Sequence, residues 1–172
     1  MRVDLCEIME GDKSLAADIV WGPISAFDEG FEVPLNLNGI TVEGLRLRGK
    51  ASRMVPDEDY MLQLEFCPAG RKIGGLDRID WRPQHDHPNK GRGPEQYRFM
   101  VITGCHHHQF SLNWYEPEQR MLSGNLPIAV PMEPKLDSQT ELFAFAENWF
   151  RINKLSRCPV PKWQGNLFGI GT

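Results

Sequence analysis

No apolar run in this chain approaches the roughly 20 residues that a membrane-spanning helix needs. The opening stretch, MRVDLCEIMEGDK, lacks the apolar centre of a secretory signal. Cysteine is scarce: Cys6, Cys67, Cys105 and Cys158 stand far apart, with no C-x-x-C spacing. Free thiols in a reducing, cytoplasmic compartment are therefore expected. Excess positive charge is missing too. A net charge of -4 and a pI near 5.7 argue against broad, non-specific nucleic-acid binding. The chain has no internal repeat, no low-complexity segment and no evident serine or cysteine nucleophile motif.

What is present is ordinary for a globular protein. Of 172 residues, 41% are apolar and 24% charged, enough for one domain with a real core. Thirteen prolines and sixteen glycines punctuate it, which predicts many short elements and long connections. Basic residues crowd the middle, at Arg71, Lys72, Arg78, Arg82, Lys90, Arg92 and Arg98, and leave room for a local cationic groove.

Residues 1–43 read as an irregular arm, with a short helix expected over Asp12 to Val20. From Gly44 the pattern turns to period two, the signature of strands with one wet face. Leu45 and Leu47 alternate with arginines; Tyr60, Leu62, Leu64 and Phe66 alternate with Met61, Gln63 and Glu65; Ile79 and Trp81 alternate with Arg78, Asp80 and Arg82. Tyr97 to Ile102, apolar on both sides, reads as a central strand, and a fifth run spans His106 to Trp114. Short links such as Pro68-Ala69-Gly70 favour an antiparallel meander. Ser138-Gln139-Thr140-Glu141 fits a capping box. Behind it, Leu142, Phe145, Ala146, Trp149 and Ile152 recur at helical spacing as the face turned to the sheet. The expectation is a single α+β domain: a mainly antiparallel sheet of about five or six strands over residues 44–115, packed by one C-terminal helix over 137–153.

Chemistry concentrates in one place. All five histidines, His85, His87, His106, His107 and His108, fall within 24 residues of one another. In a meander the loop carrying His85-Asp86-His87 and the strand carrying His106 to His108 can meet at one end of the sheet. Period two puts His106 and His108 on one face, in phase with Phe110, Leu112 and Trp114, and His107 on the other.

Three accounts compete for this cluster. In the first, His85, His87, His106 and His108 supply ligands for zinc or another divalent metal, with Asp80 or Asp86 orienting one of them. In the second, the same four histidines act as acid and base on a phosphodiester. Arg78, Arg82, Asn89, Lys90, Arg92 and Arg98 then hold the phosphate, and an RNA 2′-hydroxyl serves as nucleophile. In the third, arginines and histidines with Trp81 and Tyr97 bind a nucleotide, RNA or a protein without turnover.

Arg78-Ile79-Asp80-Trp81, His85 to Asn89, His106 to His108, Trp114 and the aromatic helix together resemble an uncharacterised family of small bacterial proteins. The shared pattern is an R-[LI]-D strand, an H-x-N-P-like loop, an H-x-H strand, a tryptophan and a late helix. It covers roughly residues 44 to 160. Here the loop reads His87-Pro88-Asn89, with the asparagine after the proline. The resemblance implies an accessory-genome protein of a defence, counter-defence or toxin–antitoxin system, and carries no activity with it. The reading that combines these signals is a histidine-dependent phosphodiesterase or ribonuclease, with a non-catalytic binding module as the alternative.

Overall fold

A computed structural model describes residues 4–69 and 74–163; Gly70, Arg71 and Lys72, noted above, lie outside the described residues. The strands are β1 (Lys13–Leu15), β2 (Gly22–Pro23), β3 (Asp28–Leu37), β4 (Ile40–Ser52), β5 (Tyr60–Phe66) and β6 (Gly74–Trp81). After them come β7 (His87–Pro88), β8 (Val101–Ile102), β9 (His106–His108), β10 (Trp114–Tyr115), β11 (Arg120–Met121), β12 (Val130–Pro131) and β13 (Ile152–Asn153). The α-helices among the described residues are α1 (Leu5–Glu10), α2 (Phe110–Asn113) and α3 (Gln139–Phe150).

The fold is α+β. Nine strands form the main sheet in the order β12-β9-β6-β5-β4-β3-β1-β13, with β2 on β3. All its pairs are antiparallel except β1 with β13. It is wider than the five or six strands expected because two- and three-residue strands extend both edges.

The central meander follows the alternation in the sequence. Leu45 and Leu47, Leu62 and Leu64, and Ile79 and Trp81 belong to one core with Leu142, Phe143, Ala146 and Phe150 of α3. Each such side chain, fully buried, contributes about 1.5–3 kcal/mol. The other face of the same strands carries Arg46, Arg48, Gln63, Glu65, Arg78 and Asp80. Cross-strand register aligns Arg48 with Gln63, Gln63 with Arg78, and Arg78 with His108. The sheet is therefore apolar beneath α3 and polar on its back.

Four regions differ from the sequence expectation. Residues 28–43 are not an irregular arm but belong to a long hairpin of β3 and β4. Phe31, Val33, Leu35 and Leu37 do alternate, yet Pro34 interrupts the run, and a register shift between Pro34 and Asn36 accommodates it. Phe31 lies directly across from Gly49, where any Cβ would sit 2.2 Å from the ring, so glycine makes this pairing possible.

The helix expected over Asp12 to Val20 is also absent; β1 stands there, and α1 comes earlier. Lys13 is held extended because its buried ammonium donates to the carbonyls of Ile8 (2.6 Å) and Gly11 (2.7 Å), closing the end of α1. Tyr97 to Met100 form a turn rather than a central strand, leaving Phe99 84% exposed. The run from His106 breaks after His108 because Asp77 captures the amide of Phe110 at 2.8 Å and α2 begins.

The helix itself starts as read. Ser138 accepts from the amide of Glu141, while Glu141 reaches the amide of Asp137. Its buried face, however, is Gln139, Leu142, Phe143, Ala146 and Phe150. Trp149 is 40% exposed and lies on the flank. Two apolar stripes overlap in ELFAFAENWF, and the one without a polar atom to satisfy, Phe143 with Phe150, takes the centre.

Candidate metal centre

Strand β9 lies between β6 and β12, and this placement decides what each histidine meets. Asp80 is directly across from His106, and Arg78 is directly across from His108. These four side chains share the polar back of the sheet. His87 comes from outside this sheet, on the short ladder β7–β8, where it pairs with Ile102. Its ring centroid lies 5.7 Å from that of His106 and 4.5 Å from that of His108. One ring nitrogen from each of His87, His106 and His108 lies within 4.8 Å of the others, a spacing that suits a shared metal ion.

Backbone carbonyls fix all three rings. His106 Nδ1 contacts Gly104 O at 2.7 Å, His108 Nδ1 contacts Leu126 O at 2.7 Å, and His87 Nε2 contacts Pro127 O at 3.0 Å. A carbonyl only accepts, so each of these nitrogens carries the proton. The remaining nitrogens, His106 Nε2, His108 Nε2 and His87 Nδ1, then present lone pairs. Metal-binding histidines are oriented in this way by a carbonyl behind the ring.

The segment supplying two of those carbonyls is itself clamped. The Asn89 amide donates to Ala129 O at 2.9 Å and to Tyr97 O at 3.1 Å, and its oxygen accepts from Ala129 N at 2.8 Å. Asn113 does the same for Ile128, at 2.9 and 3.0 Å. Leu126 sits in the left-handed region at φ 62°, following Asn125 at φ 54°. A leucine rarely adopts that conformation, and its cost is of the order of 1–3 kcal/mol. Here it turns the Leu126 carbonyl onto His108.

The electrostatics converge on Asp80. Its Oδ2 lies 3.2 Å from His106 Nε2, 3.1 Å from His108 Nε2 and 2.8 Å from Arg78 Nε. Burial alone would raise this carboxyl; a proton on the Nε2 of His106 or His108, and the Arg78 guanidinium, each pull it below the ordinary carboxylate range. Burial pushes His108 down to about 4, against the pull of Asp80, so its ring is neutral at pH 7. Burial also lowers His87.

Of the sequence-predicted residues, the structure brings together His87, His106, His108 and Arg78, with Asp80 among them. It leaves His85 and Asp86 exposed, outside the trio of metal-ligand nitrogens. Arg82 is turned away: its guanidinium stacks over Trp81 at 4.3 Å and donates to Asp137 O, and Trp81 is core. Asn89 is the buried clamp just described. Lys90, Arg92 and Arg98 lie exposed on the arm between β7 and β8, with Arg92 donating to Ser123 O and Arg98 to Gly93 O. Cys105, next to His106, lies outside the trio, and its sulfur accepts from the amide of Arg82 at 3.2 Å. The orienting carbonyls of Gly104, Leu126 and Pro127 were invisible to side-chain reasoning.

Comparison with protein-family models, with curated proteins and with solved structures finds no match. No helix among the described residues is long and apolar enough to cross a membrane.

Proposed function

We propose that His87, His106 and His108 hold a divalent transition metal of the zinc class, and that the chain is a metal-dependent phosphodiesterase acting on RNA or a nucleotide. One observation carries the metal. His106 and His108 each face an oxygen on both ring nitrogens, a carbonyl at Nδ1 and Asp80 at Nε2, and only the Nε2 of His108 also has a donor beside it, from Arg78. A neutral imidazole has one N–H and can satisfy only one of them. Protonating both rings would bury two extra positive charges beside Arg78, at several kcal/mol each. A divalent cation at the Nε2 side resolves both contacts at once.

The burial of His106 (3% exposed) and His108 (0%) favours ligands over a free acid and base, which must touch substrate. A zinc-class ion lowers the pKa of bound water to near neutrality and so provides a nucleophile. That suits a chain with no serine or cysteine nucleophile motif. Asp80 would then serve as a fourth ligand or hold that water, and half-buried His87 marks the side from which substrate enters. Arg78, with Lys90, Arg92 and Arg98 on the β7–β8 arm, provides cations for a phosphate. Four free thiols fit a cytoplasmic setting, and an accessory-genome role in defence or toxin–antitoxin function remains part of this proposal through the family resemblance alone.

Protein prepared without a His tag should carry about one metal ion per chain. With zinc it should cleave mixed RNA or cyclic nucleotides, and His108→Ala should lose both metal and turnover. Metal-free protein that takes up no zinc removes the proposal. A second reading has its own observation: Phe99, Met100 and Val101 stand exposed on the arm beside Arg98, as on a binding surface. Stoichiometric metal without any product would favour that binding module.

A further inference from the structure

The metal reading leaves one contact unexplained. Arg78 Nη2 lies 2.6 Å from His108 Nε2, while its Nε donates to Asp80 Oδ2 at 2.8 Å. Arginine only donates, so His108 Nε2 is the acceptor here. The Nδ1 proton on Leu126 O agrees with that tautomer. An imidazole has a single lone pair in the ring plane. In this structure the guanidinium occupies the lone pair that a metal would need.

We infer that Arg78 is a resident cation that exchanges with the metal: it holds His108 and Asp80 in place without metal, and metal binding expels it. The inference rests on the metal-centre reading and adds a mechanism to it. The planar fork suits this job, since its Nε and Nη2 bridge a carboxylate oxygen and an imidazole nitrogen on neighbouring strands. Without it, Asp80 would sit against two lone pairs at 3.1 and 3.2 Å with no cation between them. Arg78 also has somewhere to go. Its side chain is 19% exposed, and the backbone of β6 stays paired on both sides, so only the side chain has to swing. On the side away from His108 the cross-strand row continues with buried Gln63 and then Arg48, whose side chain is 45% exposed. An expelled Arg78 therefore stays beside the centre on the polar face. There it provides two N–H groups for an oxyanion held at the metal, which points to a phosphoryl group as the ligand class. Metal binding and anion binding become coupled through one side chain.

The test measures zinc affinity by competition with a chromophoric chelator, for the wild type, Arg78→Met and Arg78→Lys. If Arg78 fills the site in about nine-tenths of metal-free molecules, its removal should tighten zinc binding by about tenfold. Arg78→Lys keeps the charge but not the fork, and should fall between the other two. In ¹⁵N-labelled protein the Arg78 Nε–H resonance, protected by Asp80, should shift and exchange faster at one equivalent of zinc. Inorganic phosphate should then bind the zinc-loaded wild type more tightly than zinc-loaded Arg78→Met.

Equal or weaker zinc binding by Arg78→Met overturns the exchange. So does an Nε–H signal unmoved by zinc. A tighter Arg78→Met with Arg78→Lys at the wild-type value assigns the effect to charge alone and also overturns it. Failure of every variant to bind zinc is a separate result, because it removes the metal centre itself.

Discussion

Three consecutive histidines on β9 meet two different worlds. His107 points beneath α3, where its Nε2 lies 2.6 Å from Asp77 and its ring packs 4.5 Å from the Trp149 ring. Asp77 is 1% exposed, and its other oxygen accepts from Phe110 N and Trp149 Nε1. Both oxygens of Asp77 are therefore occupied by donors. His106 and His108 point to the back of the sheet, where a carbonyl faces each Nδ1, Asp80 faces both Nε2 atoms, and Arg78 reaches the Nε2 of His108 alone. One residue type, repeated three times on one short strand, thus gives a closed structural pair on one face and a cation-seeking cluster on the other. The pleat of the strand alone divides the roles.

If that division holds, the largest single-residue effect on stability belongs to the closed side. Asp77→Ala strands the donors of His107, Phe110 and Trp149, at about 1–3 kcal/mol for each buried one. A total loss of about 3–5 kcal/mol is expected, read from the urea midpoint at an unchanged slope. A loss below about 1 kcal/mol would mean that water or another acceptor replaces Asp77, and the pair is not closed. The next effect belongs to the open side. At free zinc 100 times its Kd, the wild type should gain about 2.7 kcal/mol of stability by mass action. His106→Ala should gain almost none of this, whereas His107→Gln, though less stable at the outset, should keep it. A zinc response lost in His107→Gln would break the comparison outright.

The sequence revealed this division further than it revealed its supports. Clustering of the histidines and their alternation were legible, because they depend on residue type and period two. That His87 rather than His85 joins the cluster was not, since it turns on the ladder between His87 and Ile102, fifteen residues of loop away. The orienting groups are backbone carbonyls, which every residue carries, so composition gives no signal for them. Asn89 reads as a phosphate ligand because it stands in the loop with Lys90 and Arg92 beside the histidines; its burial, at 1% exposed, makes it a clamp. The first strands were hidden by Pro34, and the helix face by a second apolar stripe containing Phe145 and Trp149. Tertiary context chose between the stripes, as it does wherever two faces are nearly equally apolar.

The smallest expected effect probes how separate the two faces are. The helical pattern places Trp149 on the sheet-facing side, where truncation would cost about 3–5 kcal/mol. At 40% exposed, it loses only part of that burial, and Trp149→Ala should cost about 1–2 kcal/mol, well below Phe150→Ala. Trp149→Phe is the finer probe. It keeps a ring against His107 and removes only the N–H that reaches Asp77 at 3.3 Å, a long bond at a partly open position. A loss of about 0.5–1 kcal/mol is expected, the ordinary net worth of one hydrogen bond. Zinc affinity should stay within about threefold of the wild type, because His107 and the cluster face opposite sides of one paired strand. A change beyond about tenfold, some 1.4 kcal/mol, would show that moving the His107–Asp77 pair shifts β9 against β6 and drags His106 and His108 with it. The closed face would then be setting the geometry of the open one, and substitutions beneath α3 would have to be counted as part of the metal centre.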